Sequence, residues 1–151
     1  MKWVLAGLGA LVGIGALAAA IGATLPRNHV ASRTLRLRRT PQEAWAAIIR
    51  ATSASSVPAD IVEDDPPRRR VTRVKETEKN FGGTWTIVVA PAADAAASAP
   101  ACTVTITENG WIANPIFRFV SKFVMGHHAT MDAMLKEVAK QFHEEPALTG
   151  E

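Results

Sequence analysis

CTVTITENGWIANPIFRFVSKFVMGHHATMDAMLKEVAKQF, Cys102 to Phe142, holds the strand and the helix whose reading decides the fold. Its first part alternates strictly. Cys102, Val104 and Ile106 point one way, and Thr103, Thr105 and Thr107 point the other, as the two-residue period of a half-buried strand requires. Asn109-Gly110 supplies a turn. Asn114-Pro115 then opens a segment with helical periodicity that runs to about Phe142. At about 100° per residue, Ile116, Phe119, Val120, Phe123, Met131, Met134 and Val138 fall on one stripe. Arg118, Lys122, Lys136 and Lys140 fall on the opposite side. Gly126 costs about 1 kcal/mol relative to alanine in mid-helix, which a close packing contact would explain.

Polar groups on this helix are the first candidates for chemistry. His127 lies within the apolar stripe, His128 at its margin and Asp132 beyond it. His128 and Asp132 stand one helical turn apart, but a zinc site needs three or four ligands. The other histidines, His29 and His143, sit in no ligand spacing, so neither a metal nor a cofactor is expected. No nucleophile motif surrounds Cys102 or any serine. His127 reads as a polar group in an apolar lining, which must find a hydrogen bond in protein, water or ligand.

Upstream, "HVASRTLRLRR" (His29 to Arg39) reads as a strand, with Leu35 and Leu37 on one face and Thr34, Arg36 and Arg38 on the other. "TPQE" follows as a helix start: Thr40 as N-cap, Pro41 at the first turn, Glu43 closing a capping box. That helix carries Ala44, Trp45, Ile48 and Ile49 and ends near Ala51. "TSASSVPADIVEDDPP" reads as a connection, its Glu63, Asp64 and Asp65 forming a solvated turn rather than a calcium loop, whose ligands alternate around a glycine. "RRRVTRVKET" is a thinly apolar strand near an edge, from Arg69 to Thr77. "FGGTWTIVVAP" is a stronger one, with Trp85, Ile87 and Val89 alternating with Thr84, Thr86 and Val88. "AADAAASAPA" reads as a hairpin loop.

The amino-terminal segment is of another kind. From Trp3 to Leu25 there is no charged residue, and roughly 20 apolar residues suffice to cross the hydrocarbon core. A cleaved signal peptide is the alternative, but the apolar run exceeds the usual 7–15-residue h-region. Pro26 ends the helix. Gly9 and Gly13 make a GxxxG spacing that would let two such helices approach. Arg27, Arg33, Arg36, Arg38 and Arg39 follow the span, which by the positive-inside tendency places the rest of the chain in the cytoplasm; a lone cysteine agrees. The organisation read from the sequence is an anchor over 1–26, one domain over 27–145 and a disordered tail over 146–151. The formal charge of +3 and the absence of tyrosine offer no basic, aromatic-interleaved face for nucleic acid.

The order of elements is that of an α+β fold: a curved antiparallel sheet with a long carboxy-terminal helix packed across its concave face. A gap between such a helix and sheet, lined by Phe and Met, can hold apolar ligands. "RTLRLRRTPQEAWAAI" resembles the opening strand and helix of the START-like (SRPBCC) superfamily, which includes polyketide cyclase/dehydrase-type proteins. "EDDPPRRRVTRV", "FGGTWTIVVAP" and the stretch from Cys102 to Phe142 are similar to a bacterial membrane-anchored branch of it. The resemblance spans most of residues 29 to 143. It implies a helix-grip fold enclosing a cavity for hydrophobic molecules. By position, Phe119, Phe123, His127, Met131 and Met134 would face that cavity, with Trp85 and Ile87 on the sheet opposite. The chain departs from the family between the first helix and "EDDPP", where Thr52 to Glu63 replace a second short helix and further strands. A shortened sheet leaves edges that a second copy could pair with.

The expected function is a membrane-tethered, non-enzymatic module for a hydrophobic small molecule or lipid, with residues 3–25 in the bilayer. The alternatives are a cyclase- or dehydrase-type enzyme using His127, and an interaction module at the membrane, including a homodimer.

Overall fold

The computed structural model of the chain describes residues 2–54, 58–74, 80–96, 99–126 and 128–150. Six strands form one open antiparallel sheet: β1 (Asn28–Leu37), β2 (Ala59–Asp65), β3 (Arg69–Val74), β4 (Phe81–Pro91), β5 (Cys102–Ile112) and β6 (Ala147–Thr149). They lie in the order β2-β3-β4-β5-β1-β6. Register decides which side chains share a face. Leu35 stands opposite Val104, Val104 opposite Val89, and Ile106 opposite Ile87, so the apolar positions of three strands form rows on the inner face. On the outer face the hydroxyls of Thr34 and Thr105 lie 2.9 Å apart, and those of Ser32 and Thr107 3.1 Å apart.

Two helices cover the inner face. Helix α2 (Pro41–Ser53) starts as its sequence dictates: the Thr40 hydroxyl accepts from the Glu43 amide, and the Glu43 carboxylate accepts from the Thr40 amide. It buries Ala44, Trp45, Ala47 and Ile48. Helix α4 (Ala129–Gln141) buries Met131, Leu135, Val138 and Ala139 in the same core as Leu35, Val104 and Ile106. The Arg50 guanidinium donates to Gln141 Oε1 at 3.0 Å and locks the carboxy-terminal ends of α2 and α4 together.

Apart from the sheet runs helix α1 (Lys2–Thr24), apolar and long enough to cross a membrane. At ~1.5 Å per residue it is about 34 Å long, against roughly 30 Å of hydrocarbon. Its side chains are largely exposed.

Three expectations are corrected. The single helix to Phe142 is broken into α3 (Pro115–Val120), a π-helical turn (Ser121–Met125) and α4. Gly126 sits between them at φ +75° and ψ 145°, a positive-φ conformation that glycine adopts freely and that cannot continue a right-handed helix. The two sides of the break have different partners, since α3 packs on α1 and α4 packs on the sheet, and Ile116 and Phe123 of the expected stripe are exposed. Second, part of the expected connection is strand β2. Its register on β3 is held by cross-strand ion pairs, Glu63–Arg69 and Asp64–Arg70, each at 2.8 Å, which an apolar-periodicity reading does not register. Third, the expected disordered tail contains β6. Leu148 faces Leu35 and packs against the core, and the Arg33 guanidinium donates to the Gly150 carbonyl at 2.6 Å. Arg33 shares the inner face with Leu35, as strand alternation requires, and stands opposite Ile106. Of the strand expected to Thr77, β3 extends to Val74, and residues 75–79 lie outside the described residues.

Candidate apolar ligand cleft

Between β3, β4 and α4 the inner face is not filled. A cleft of about 240 Å³ is lined by Trp85 and Ile87 from β4, Thr72 and Val74 from β3, Met134 and Thr130 from α4, and Thr52 at the end of α2. Strand alternation brings Trp85 and Ile87 to one side, and Thr72 stands directly opposite Trp85. Thr130 and Met134, one helical turn apart, form the facing wall. Arg70 also points inward, opposite Ile87, yet it leaves the cleft apolar. Asp64 takes its guanidinium in a two-point hydrogen bond at 2.8 and 3.0 Å, and the cation lies 5.7 Å over the Trp45 ring.

The polar end of the cleft is Glu108, whose carboxylate lies 3.2 Å from His29 Nε2. Both residues stand on the inner face. The alternation of Cys102, Val104 and Ile106 continues to Glu108, and that of Leu35 and Arg33 continues back through Ala31 to His29. This extrapolation is the signal in the sequence that reveals the pair. A second hollow of about 150 Å³ shares Phe81, Gly82, Glu108 and Thr130 with the cleft and continues to Ser121, Met125 and Gly126. The two spaces therefore adjoin at Glu108, and the second extends toward the π-helical turn.

Of the residues expected around a cavity, Trp85, Ile87 and Met134 come together here. Met131 is fully buried in the core. Phe119 and Phe123 lie away from the cleft, their rings 5.1 Å apart and tilted by 46° on the α3 side of the helix break. The helix break at Gly126 separates them from Met131 and Met134. His127 lies outside the described residues.

The remaining candidates have structural partners. Asp132 forms an ion pair with Arg33 at 2.9 Å, so it is engaged with the sheet rather than with His128. Among the described residues no group of three or more His, Cys, Asp or Glu side chains is placed to hold a metal ion. Cys102 is fully buried and weakly donates to the Thr40 carbonyl, with Sγ at 3.8 Å. Burial, then the negative charges of Glu144 and Glu43, push its pKa up to about 11. A thiol held protonated is not a nucleophile at neutral pH.

Fold and site together define an α+β protein: an open antiparallel six-stranded sheet, helices on its inner face, an adjoining apolar cleft and one apolar amino-terminal helix. No protein-family model matches the chain. No curated protein matches it in sequence. Among solved structures, the crystal structure of a conserved protein from Geobacillus kaustophilus superposes with a TM-score of 0.54 at 10% identity, covering 80% of this chain and 99% of that one. At this identity the match shows a shared fold. The di-domain ARO/CYC protein BexL, from the BE-7585A biosynthetic pathway, aligns over 95% of this chain and 58% of its own at 10% identity, but a TM-score of 0.29 carries no argument.

Proposed function

We propose that the chain is a membrane-tethered START-like (SRPBCC) module of the helix-grip type that binds a hydrophobic small molecule or lipid and catalyses no reaction. Residues 3–25 are its anchor, and the domain from residue 27 onward lies on the cytoplasmic side. The observation that carries this reading is the cleft between β3–β4 and α4, apolar along Trp85, Ile87 and Met134, with threonine hydroxyls on its walls and the carboxylate of Glu108, in contact with His29, at one end. Ligand sites of this kind pair a mostly apolar wall with a few convergent polar groups that fix orientation. The volume of about 240 Å³ lies below the usual range of roughly 300–1,000 Å³, which fits a slender ligand or one end of a longer chain.

The test is native mass spectrometry of the full chain released from detergent, beside Thr72→Trp, which fills the cleft and leaves α1 unchanged. The expected result is a discrete bound apolar molecule on the wild type that the variant lacks. Equal lipid on both proteins would assign the lipid to the anchor and refute a cleft ligand. The His29–Glu108 pair favours a second reading, a cyclase- or dehydrase-type enzyme, because an imidazole and a carboxylate in contact can move a proton. In that case Glu108→Gln abolishes turnover of a bound substrate while leaving its binding intact.

A further inference from the structure

The segment between the sheet and α4 is built as though it belongs to α1. Helix α3 packs on α1. Between Gly7 and Gly22, the positions of α1 that are not fully exposed are Gly15, Ala18, Ala19 and Gly22, a single stripe of small residues. At Gly22 the approach is so close that a Cβ would run into the carbonyl of Pro115. Small residues let helix backbones approach this way inside membranes. The stripe lies within the apolar span, not beyond its end. A helix resting on it shares its depth.

The outward side of this segment is apolar. Ile116, Phe117, Phe123, Val124 and Met125 are 43%, 52%, 57%, 70% and 63% exposed, a density of bare large side chains that water does not favour. The cations within it are handled as a bilayer demands. Arg118 is buried and spends its guanidinium on backbone carbonyls, donating to Leu25 at 2.6 Å and to Ala113 at 3.4 Å. It thereby satisfies a carbonyl at the end of α1, where the helix dipole favours a cation. Lys122 reaches along the surface with its ammonium 5.7 Å from the Phe123 ring, free to extend to headgroups. Between Glu108 and Asp132 the sequence has no carboxylate.

The geometry points to a second membrane-inserted element: α3 and the π-helical turn enter the bilayer beside α1, placing Phe117, Phe123, Val124 and Met125 among acyl chains. The occupant of this face is lipid, argued from its continuity with the span. Met125 and Gly126 also line the hollow that adjoins the cleft, which puts that hollow beside the proposed membrane element. This inference rests on reading α1 as the anchor.

The test uses the full chain in vesicles of phosphatidylcholine and phosphatidylglycerol, with an environment-sensitive fluorophore on a cysteine introduced at one site at a time. Phe123→Cys and Val124→Cys report on the proposed element, and Val12→Cys reports on α1, where Val12 is 68% exposed. Glu137→Cys, on the exposed side of α4, is the aqueous reference. Bromine-labelled acyl chains are expected to quench labels at 123 and 124 to the same order as at 12, with a matching blue shift, and to leave 137 bright. A quenched label at 12 with water-exposed labels at 123 and 124 overturns the inference and leaves the anchor standing. A blue-shifted label at 123 that lipid quenchers do not reach means that protein, such as a second copy, covers the face, and also overturns it. An unquenched label at 12 removes the anchor and the inference together.

Discussion

Breaking the Arg33–Asp132 ion pair tests whether α4 is clamped to the sheet where the cleft begins. The charged atoms are 2.9 Å apart, which at an effective dielectric constant of about 20 corresponds to a gross attraction of about 6 kcal/mol. Both side chains are about a quarter exposed, at 24% and 25%, so neither the full attraction nor the desolvation cost of a deep pair applies. Exposed pairs give roughly 0.2–1 kcal/mol, and breaking a buried one costs about 3–5 kcal/mol. The intermediate position predicts a coupling of about 1–2 kcal/mol. Single substitutions mislead here, because Arg33 also donates to the Gly150 carbonyl and so holds β6. A double-mutant cycle of Arg33→Met and Asp132→Asn cancels that contribution. Urea unfolding of the full chain in detergent, followed by tryptophan fluorescence, gives the terms. Asp132→Asn alone should cost about 2 kcal/mol, since it leaves a half-buried cation unpaired. A coupling indistinguishable from zero would refute the placement of the first turn of α4 against β1.

Ile106→Ala empties a fully buried position at the centre of the sheet and should lower unfolding stability by about 3–4 kcal/mol, read as a shift in urea midpoint at constant slope. Gly22→Val should loosen α3 and speed amide hydrogen exchange across residues 115–125, whereas Gly13→Val, whose Cβ meets open space, should not; equal exchange in both would deny the α1–α3 contact. Thiol reagents at pH 8 should modify Cys102 promptly only after denaturation, because burial holds its pKa at about 11; fast labelling of the folded chain would contradict its enclosure. Hydrogen bonds from Thr40 to Glu43, from Arg70 to Asp64 and from Arg36 to Asp94 hold these carboxyls below their ordinary values. Such groups stabilise the fold above their unfolded pKa of about 4 and lose that contribution as pH falls through the lower folded values. Melting temperature should therefore be flat from neutral pH to about 5 and decline gently below about 4. A rise on acidification would reverse the sign.

The strands of the core were legible because their periodicity is chemical: Trp85, Ile87 and Val89, and Cys102, Val104 and Ile106, alternate with threonines, and no other conformation separates those two sets. The start of α2 was legible for a local reason too, since a capping box closes within four residues. Strand β2 was not. Its exposed residues carry no apolar pattern, and its place depends on arginines across the turn. The candidate site divides on the same line. Periodicity shows the apolar faces of Trp85, Ile87 and Met134; that these faces line a cavity is what the resemblance to START-like proteins implied. Glu108 and His29 acquire meaning only when β1 and β5 pair, 79 positions apart in sequence.

The sequence by itself determined an apolar amino-terminal helix, an α+β chain and the inner faces of its main strands, because these depend on interactions between near neighbours and on contact with solvent. Only the tertiary structure decided that one apolar stripe is divided between two partners. Helical spacing groups Phe119, Phe123, Met131 and Met134 on one apolar stripe; it does not report whether α1, the sheet or, as at the exposed Phe123, neither covers each. That choice is made by Gly126, by the small-residue stripe of α1 and by the Arg33–Asp132 pair, which act between parts of the chain that meet only after folding.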